Sequence, residues 1–168
     1  MTTSCFLIKD VFMAMLVDRN VQSTGKLNEM STLERAIAIA VEAHSGQVDK
    51  AGSPYILHPL RVMLSLQSNN ERIVGVLHDV CEDCPGWDLD RFIREGFPEN
   101  VIDALRSVTK IEGESYEDFV LRASRNEIGR AVKIADLVDN SDISRIHEPT
   151  DRDHKRLAKY ARALAALK

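Results

Sequence analysis

The stretch that decides the fold class of this 168-residue chain is residues 71–83, ERIVGVLHDVCED. Its apolar residues follow one another closely, with Gly75 as the single helix breaker, until Pro85 and Gly86 end the pattern. An apolar run of this length is typical of a helix and not of a strand. The stretch therefore predicts a third, largely buried helix, whose last part carries ionisable side chains where a plain core helix would carry apolar ones.

The residues on either side of this stretch also show a helical period, with apolar positions three and four apart. Residues 45–54 contain two glycines and a proline and are typical of a loop. Residues 131–135 could form a strand, but their continuation to residue 140 keeps helical spacing better than alternation. Further helices are predicted over residues 33–44, 55–68, 89–94, 99–109, 115–125, 128–146 and 152–167. The predicted fold is all-α, a compact bundle of about seven to nine helices.

The composition narrows the classes of partner. The chain has 22 basic and 26 acidic side chains, 44% hydrophobic residues and 29% charged residues, which is ordinary for a globular protein. A formal charge of -4 lacks the basic footprint that nucleic-acid backbones require, so no nucleic-acid partner is expected. A small anionic ligand needs only a local cluster of Lys and Arg, and it remains possible.

The chain is predicted to form one domain over residues 30–168, because no repeat, low-complexity tract or Pro/Gly-rich linker divides it. Residues 1–29 are an N-terminal extension, which we expect to be poorly ordered or non-native, with Met30 as the native initiator. The apolar stretch at residues 6–17 is interrupted by charge and too short to span a bilayer, so no membrane anchor is expected. Three sparse cysteines, Cys5, Cys81 and Cys84, favour the reducing cytoplasm.

Several acids and imidazoles occupy positions where buried helices would normally be apolar. His78 and Asp79 are adjacent in the predicted third helix, and Glu82 and Asp83 follow them one turn later. His58 precedes a proline at a predicted helix start. Asp136 lies within an apolar run, where burying it without a partner would be costly.

Two imidazoles and two carboxylates, His58, His78, Asp79 and Asp136, form a mixed nitrogen and oxygen donor set. Such a set suits manganese, iron or zinc, and it lacks the soft sulfur ligands of a structural zinc site. The pattern indicates a catalytic metal with an open side. A satisfied polar core is the alternative for these four residues, and each of them taken singly is open to it.

Four segments together resemble the hydrolase domain of the RelA/SpoT family. They are residues 43–47, AHSGQ; 50–59, KAGSPYILHP; 77–83, LHDVCED; and 133–140, KIADLVDN. Their order and spacing also agree with the family, and the resemblance extends from residue 33 to the C-terminus. The resemblance implies an HD-domain bundle and a stand-alone small alarmone hydrolase of the cytoplasm, with a soluble nucleotide as substrate and oligomer formation left open.

The resemblance also implies a role for individual residues. A divalent metal, most often Mn²⁺, would be bound by His58, His78, Asp79 and Asp136. Glu82 and Asp83 would form the catalytic acid pair, and Asn140 would bind the nucleoside. The implied reaction removes the 3′-pyrophosphate from ppGpp or pppGpp to give GDP or GTP. Charge and position make further substrate-binding candidates of Lys50, Lys110, Lys133, Arg156 and Tyr160.

Two positions depart from the family pattern. Asp49 stands where the family commonly has an arginine able to stack on guanine, which puts the base preference in doubt. Cys84 stands where a threonine is common. The alternatives are an HD-domain phosphohydrolase acting on another nucleotide and a catalytically silent nucleotide-binding module.

The remaining polar residues have plainer interpretations. His44 is predicted to pack or to support the metal ligands, because the apolar face of the first helix needs a residue there. His147 and His154 lie among charged residues and are expected to be solvated. Asn140 follows Asp136 by one helical turn, so it could orient that carboxylate instead of binding a ligand.

Overall fold

The structure is a computed structural model that describes residues 31–168 of the chain. The predictions for residues 1–29, for Met30 as initiator and for Cys5 therefore lie outside the described residues. All regular secondary structure in the described residues is helical. The one exception is an isolated bridge between Val48 and Pro54, in the loop after the first helix. The predicted all-α fold is confirmed.

Nine α-helices and one short 3₁₀ helix make up the described chain. The α-helices are α1 Leu33–Ala43, α2 Leu57–Ser65, α3 Asn69–Leu77, α4 Val80–Asp83, α5 Leu89–Arg94, α6 Glu99–Val108, α7 Tyr116–Ser124, α8 Glu127–Asn140 and α9 Asp151–Leu167. The 3₁₀ helix, Ile143–Arg145, lies between α8 and α9. Across residues 31–168, no helix is long and apolar enough to cross a bilayer.

Helix α3 is the centre of the bundle and packs against α1, α2, α6 and α8. It is buried on every side from Ile73 to Leu77, which agrees with the continuous apolar run of the sequence. A side chain at Gly75 would place its Cβ 2.5 Å from Leu66 Cδ1 at the end of α2. Glycine at this position therefore allows α2 and α3 to approach closely.

The prediction of a single helix over residues 71–83 is wrong in its bounds, because the structure has α3 and α4 there. The helix begins earlier because Ser68 and Glu71 form a capping box, with Ser68 Oγ accepting from the Glu71 amide at 3.2 Å and a Glu71 carboxylate oxygen accepting from the Ser68 amide at 2.8 Å. It is interrupted at His78 and Asp79, where the Gly75 carbonyl accepts a hydrogen bond from the His78 ring. A side chain thus uses a carbonyl that an uninterrupted helix would pair with a backbone amide.

Two other predicted helices are shorter than expected. The helix predicted over residues 55–68 is α2, Leu57–Ser65, and Tyr55 lies in the loop before it. The helix predicted over residues 128–146 ends at Asn140, where α8 ends. Asp142 then accepts from the Ser144 amide at 3.1 Å and begins the 3₁₀ helix, so local side-chain bonding ends the regular pattern.

A second, smaller apolar cluster holds α9 against α7 and α8. Its buried members are Val120, Leu137, Ala163 and Leu167. Leu137 lies on α8 one residue after Asp136, and Arg156 and Tyr160 of α9 line the same cavity as Asp136 and Asn140 of α8.

Candidate metal centre and adjoining cavity

Four predicted metal ligands converge where α2, α3 and α8 meet. His58 is the second residue of α2, His78 and Asp79 join α3 to α4, and Asp136 lies on α8. One ligand atom from each of His58, His78 and Asp79 lies within 4.8 Å of the other two. Asp136 Oδ1 lies 3.4 Å from His58 Nε2 and 3.6 Å from His78 Nε2. The structure thus brings all four side chains together.

The His78 ring is oriented by its own helix. Its Nδ1 lies 2.8 Å from the Gly75 carbonyl oxygen, which can only accept, so Nδ1 carries the proton and donates. The opposite nitrogen, Nε2, is buried and has no hydrogen-bond partner among residues 31–168, although Asp79 Oδ2 lies 3.1 Å away. A buried ring nitrogen without a partner is unusual, and here it faces the carboxylates of the cluster.

The His58 ring is oriented in the same way by a different partner. Its Nδ1 lies 2.7 Å from Asp139 Oδ2, and its Nε2 lies 3.4 Å from both Asp79 Oδ2 and Asp136 Oδ1. Both imidazoles therefore direct Nε2 into the cluster while Nδ1 is held from outside it. This arrangement is common among metal-binding histidines, where the second nitrogen is fixed by an acceptor.

The two carboxylates are also held by neighbours. Asp136 Oδ2 accepts from Lys133 Nζ at 2.9 Å, and its Oδ1 accepts from Asn140 Nδ2 at 2.5 Å. Asp79 Oδ2 accepts from the Tyr55 hydroxyl at 2.6 Å. Tyr55 lies between the rings of His44 and His58, with centroids 4.9 Å and 5.7 Å away. The cluster is thus fixed by several elements at once.

The charges of the cluster depend strongly on one another. Burial lowers the pKa of His58, but contacts with Asp136, Asp139 and Asp79 outweigh burial and raise that pKa to about 11. The pKa of His78 is raised to about 10 in the same way.

The pKa of each buried carboxyl moves in the opposite direction. Burial opposes ionisation of Asp136, but Lys133 and the two imidazoles hold its pKa well below the ordinary range. Asp79 also has a lowered pKa, because the charge of His78 and the hydrogen bond from His58 outweigh its burial. Both carboxylates are therefore ionised and available as anionic ligands.

These residues fit a divalent metal. Two imidazole nitrogens and two carboxylate oxygens converge, and His78 Nε2 offers a lone pair once its proton is displaced. Among residues 31–168, no thiolate belongs to the cluster. The site is therefore a possible His/Asp metal site that suits a divalent cation.

The predicted acid pair lies beside the cluster without belonging to it. Glu82 Oε1 accepts from the Lys110 amide at 2.6 Å, and Asp83 Oδ2 lies 3.4 Å from the Tyr55 hydroxyl. Both carboxyl groups are partly buried, and this burial raises the pKa of Glu82 and of Asp83. The negative charge of Asp79 raises both pKa values further. Each is thus easier to protonate than an exposed carboxylate.

A cavity of about 380 Å³ opens onto the cluster. Most of the metal cluster lines this cavity. Four of the predicted substrate-binding residues also line it, namely Lys50, Asn140, Arg156 and Tyr160. Lys110 and Lys133 do not line it: Lys110 is exposed, and Lys133 is buried against Asp136 and the Phe119 ring. The cavity has room for a small ligand that contacts the cluster and α9 at once.

Several residues of this site were not predicted. Arg61, Asp139 and Arg145 form a charged group at the cavity wall, and Tyr55 bridges Asp79 and Asp83. The sequence contained one signal, because Asp139 follows Asp136 by nearly one helical turn. The arginines come from separate elements, so no spacing in the sequence connects them.

The structure also shows the surroundings of three residues that the sequence did not place at the metal or the acid pair, His44, Asp49 and His147. His44 is buried, with Nδ1 2.8 Å from Gln47 Oε1 and 3.4 Å from Cys84 Sγ, so it packs at the back of the site. Asp49 Oδ1 accepts from the amides of Ala51 and Ser53, both at 2.9 Å, and thereby shapes the loop before α2. His147 is fully solvated, as predicted.

The chain belongs to the HD domain family, whose pattern matches residues 36–136. This range contains all four residues of the cluster and the acid pair. The predicted resemblance to the RelA/SpoT hydrolase domain is also confirmed by relatives.

One relative, a guanosine-3′,5′-bis(diphosphate) 3′-pyrophosphohydrolase of Aquifex aeolicus, is 33% identical over 120 residues, covering 64% of this chain and 17% of the relative. An enzyme of the same name from Borreliella burgdorferi is 36% identical over 98 residues, covering 55% of this chain and 14% of the relative. The chain thus spans only about a sixth of the length of these relatives. A solved structure, described as a metazoan ortholog of SpoT that hydrolyzes ppGpp, shares the fold with a TM-score of 0.66 at 17% identity, covering 87% of this chain and 88% of that one.

Proposed function

We propose that this protein is a metal-dependent hydrolase that removes the 3′-pyrophosphate from ppGpp or pppGpp to give GDP or GTP. The observation that carries the proposal is the convergence of two imidazoles and two carboxylates at one end of a cavity whose wall carries basic side chains. The names of the relatives from Aquifex and Borreliella support the choice of substrate. Mn²⁺ is the proposed ion because the resemblance to the RelA/SpoT hydrolase domain implies it, and the nitrogen and oxygen donors are compatible with it as they are with iron or zinc.

In this proposal His58, His78, Asp79 and Asp136 hold the ion. When bound, the ion supplies a more acidic water and neutralises charge on phosphate oxygens. The residues of the chain fix the donors. The Gly75 carbonyl and Asp139 hold the two rings, so that each Nε2 faces the site. Lys133 balances the charge of Asp136.

Glu82 and Asp83 are proposed to move protons. Water attacking phosphorus loses a proton, and the departing nucleoside oxygen gains one. A raised pKa suits carboxyl groups that must accept and return a proton near neutral pH. The Lys110 amide fixes the orientation of Glu82, which agrees with a positioned acid or base.

The substrate is proposed to lie along the cavity between the metal cluster and α9. Lys50, Arg156 and Tyr160 would contact phosphate oxygens from the wall, with Lys110 and Lys133 adding positive charge near the acid pair and the cluster. Arg156 lines the cavity with a partly exposed side chain, and its Nη2 lies 3.2 Å from Asp153 Oδ1. Asn140 would bind the nucleoside through the part of its amide that does not bond Asp136. The substrate is a small soluble nucleotide, which agrees with the cytoplasmic location expected from the cysteines.

A phosphohydrolase acting on another nucleotide is the second candidate. Asp49 favours it, because its carboxylate is committed to backbone amides and offers no flat cation on which guanine could stack. The metal cluster and acid pair serve both candidates equally, so the two differ in the nucleotide that is bound and in the group that is released.

The proposed function is tested by incubating the purified protein and Mn²⁺ with ppGpp, pppGpp and a panel of other nucleotides, followed by separation of the products. We expect GDP or GTP together with intact pyrophosphate, and no turnover after chelation. Release of single phosphates from other nucleotides would favour the second candidate. Binding of ppGpp without any turnover would contradict both and indicate a silent nucleotide-binding module.

A further inference from the structure

Asp139 joins one predicted metal ligand to two arginines of the cavity wall. Its side chain is 13% exposed and contacts three cationic or donor groups. Oδ2 lies 2.7 Å from His58 Nδ1 and 3.1 Å from Arg145 Nη1, and Oδ1 accepts from Arg61 Nε at 2.7 Å. Arg61 Nη2 adds a second bond to Oδ2 at 3.1 Å, so the Arg61 contact is bidentate.

This carboxylate determines which nitrogen of His58 faces the metal cluster. A carboxylate accepts, so His58 Nδ1 must carry the proton, and Nε2 is then the nitrogen whose lone pair can bind an ion. His78 obtains the same orientation from a backbone carbonyl of its own helix, which needs no side chain. His58 depends instead on a residue from α8, 81 positions later in the sequence.

The arginines in turn fix Asp139. Arg61 extends from α2, one turn beyond His58, and Arg145 comes from the 3₁₀ helix, so the carboxylate is held from two separate elements. Both side chains line the cavity and remain 37% and 29% exposed. The wall of the cavity and the orientation of His58 therefore share one anchor.

We propose that Asp139 is a positioning residue that holds His58 for metal binding and fixes Arg61 and Arg145 at the cavity wall. This inference rests on the proposed function, because it assigns the support of the proposed metal site. Asp139 acts through His58, whose Nδ1 its carboxylate contacts directly. Its loss weakens metal binding, since outer partners of metal ligands typically contribute 10- to 100-fold to affinity.

Asp142 provides a matched control. It lines the same cavity and lies 3.6 Å from Arg145 Nε, but it does not contact His58. Asp142→Ala removes an acid beside Arg145 and the cap of the 3₁₀ helix, but it leaves the hydrogen bond between Asp139 and His58 in place. Asp139→Asn is the conservative variant, because its amide oxygen can still accept from His58 Nδ1.

The test is calorimetric titration of the full chain with Mn²⁺ for the wild type, Asp139→Ala, Asp139→Asn and Asp142→Ala. Thermal unfolding of each metal-free protein accompanies the titrations. We expect a weakening of roughly 10- to 100-fold for Asp139→Ala, a smaller loss for Asp139→Asn, and wild-type affinity for Asp142→Ala. If Asp139→Ala does not fold, the comparison of Asp139→Asn with Asp142→Ala still decides, because only the first should weaken binding.

Three results would overturn the inference. Wild-type affinity in both Asp139 variants would show that His58 needs no carboxylate, and equal losses in Asp139→Ala and Asp139→Asn would show that acceptance from His58 is not the cause. Lowered thermal stability with unchanged affinity would make Asp139 a merely structural residue. If the wild type itself binds no Mn²⁺, the proposed function fails first, and this outcome is distinct from failure of the Asp139 variants alone.

Discussion

The two ends of the cavity are built differently. At one end, the metal cluster lies among buried helices, and each of its four residues has a partner that fixes its orientation. At the other end, Lys50 lies on a loop and is exposed, and Arg156 projects from α9 with one ion pair at 3.2 Å to Asp153. The first end is preorganised, and we expect the second end to adapt to its ligand. Substitutions at the first should therefore abolish function, and those at the second should tune it.

The largest effect is expected from removal of a buried ligand. His78→Ala leaves three donors and takes away the unpartnered Nε2, so metal binding and turnover should fall together by about a thousandfold or more. The thermal stability gained on adding Mn²⁺ should also disappear. Metal analysis, steady-state kinetics and thermal unfolding measure this. His147→Ala, on a fully solvated side chain, is the matched control and should change none of them.

The acid pair lies beside the metal cluster, and its substitution should separate chemistry from binding. Glu82→Gln keeps the acceptor for the Lys110 amide but removes the proton-accepting charge. Turnover should fall by roughly a hundredfold, the usual worth of a positioned acid or base, with metal content and KM nearly unchanged. Asp83→Asn should behave similarly. Loss of the metal in either variant would instead make that residue a ligand, and near-normal turnover in both would remove the pair from the mechanism.

The charge balance of the buried end predicts a pH dependence of metal binding. The pKa values of His58 and His78 are raised to about 11 and about 10, so both rings carry an extra proton near neutral pH when no ion competes. An ion must displace these protons, so affinity should rise by about tenfold per pH unit for each proton released. Titrations with Mn²⁺ in buffers of different ionisation enthalpy measure the release. If the affinity for Mn²⁺ is constant between pH 6 and 8, binding displaces no proton from His58 or His78, and this prediction is wrong.

The smallest effect is expected at the adaptable end, in the choice of base. Asp49 offers no stacking cation, and none of the other proposed contacts is assigned to the base edge. Guanosine and adenosine 3′-pyrophosphates should therefore differ by less than about tenfold in kcat/KM. Competition assays with the two nucleotides give this ratio directly. Strong guanine selectivity would mean that another residue of the cavity wall recognises the base.

The difference between the two ends of the cavity also explains which residues of the site the sequence could predict. Asp136 in an apolar run and His78 in a buried helix are visible anomalies, because an ionisable residue at such a place needs a partner. The helices themselves were predictable from their spacing, and errors fell where side chains bond the backbone, as at His78 and Asp142.

The support of the site could not be predicted in this way. Asp139, Arg61 and Arg145 come together only when α2, α8 and the 3₁₀ helix are packed, and each looks like an ordinary surface charge in the sequence. Lys133 was singled out for its charge, but whether it faces a phosphate or Asp136 depends on the rotation of α8, which periodicity gives only roughly.

The most direct test of the account is a crystal structure of the protein grown with Mn²⁺ and measured for anomalous scattering. We expect one strong peak within coordinating distance of His58 Nε2, His78 Nε2 and carboxylate oxygens of Asp79 and Asp136. We also expect His58 Nδ1 to remain bonded to Asp139. A cluster without a peak at saturating Mn²⁺, or a peak bound only by Glu82 and Asp83, would contradict the assignment of this cluster as the metal centre.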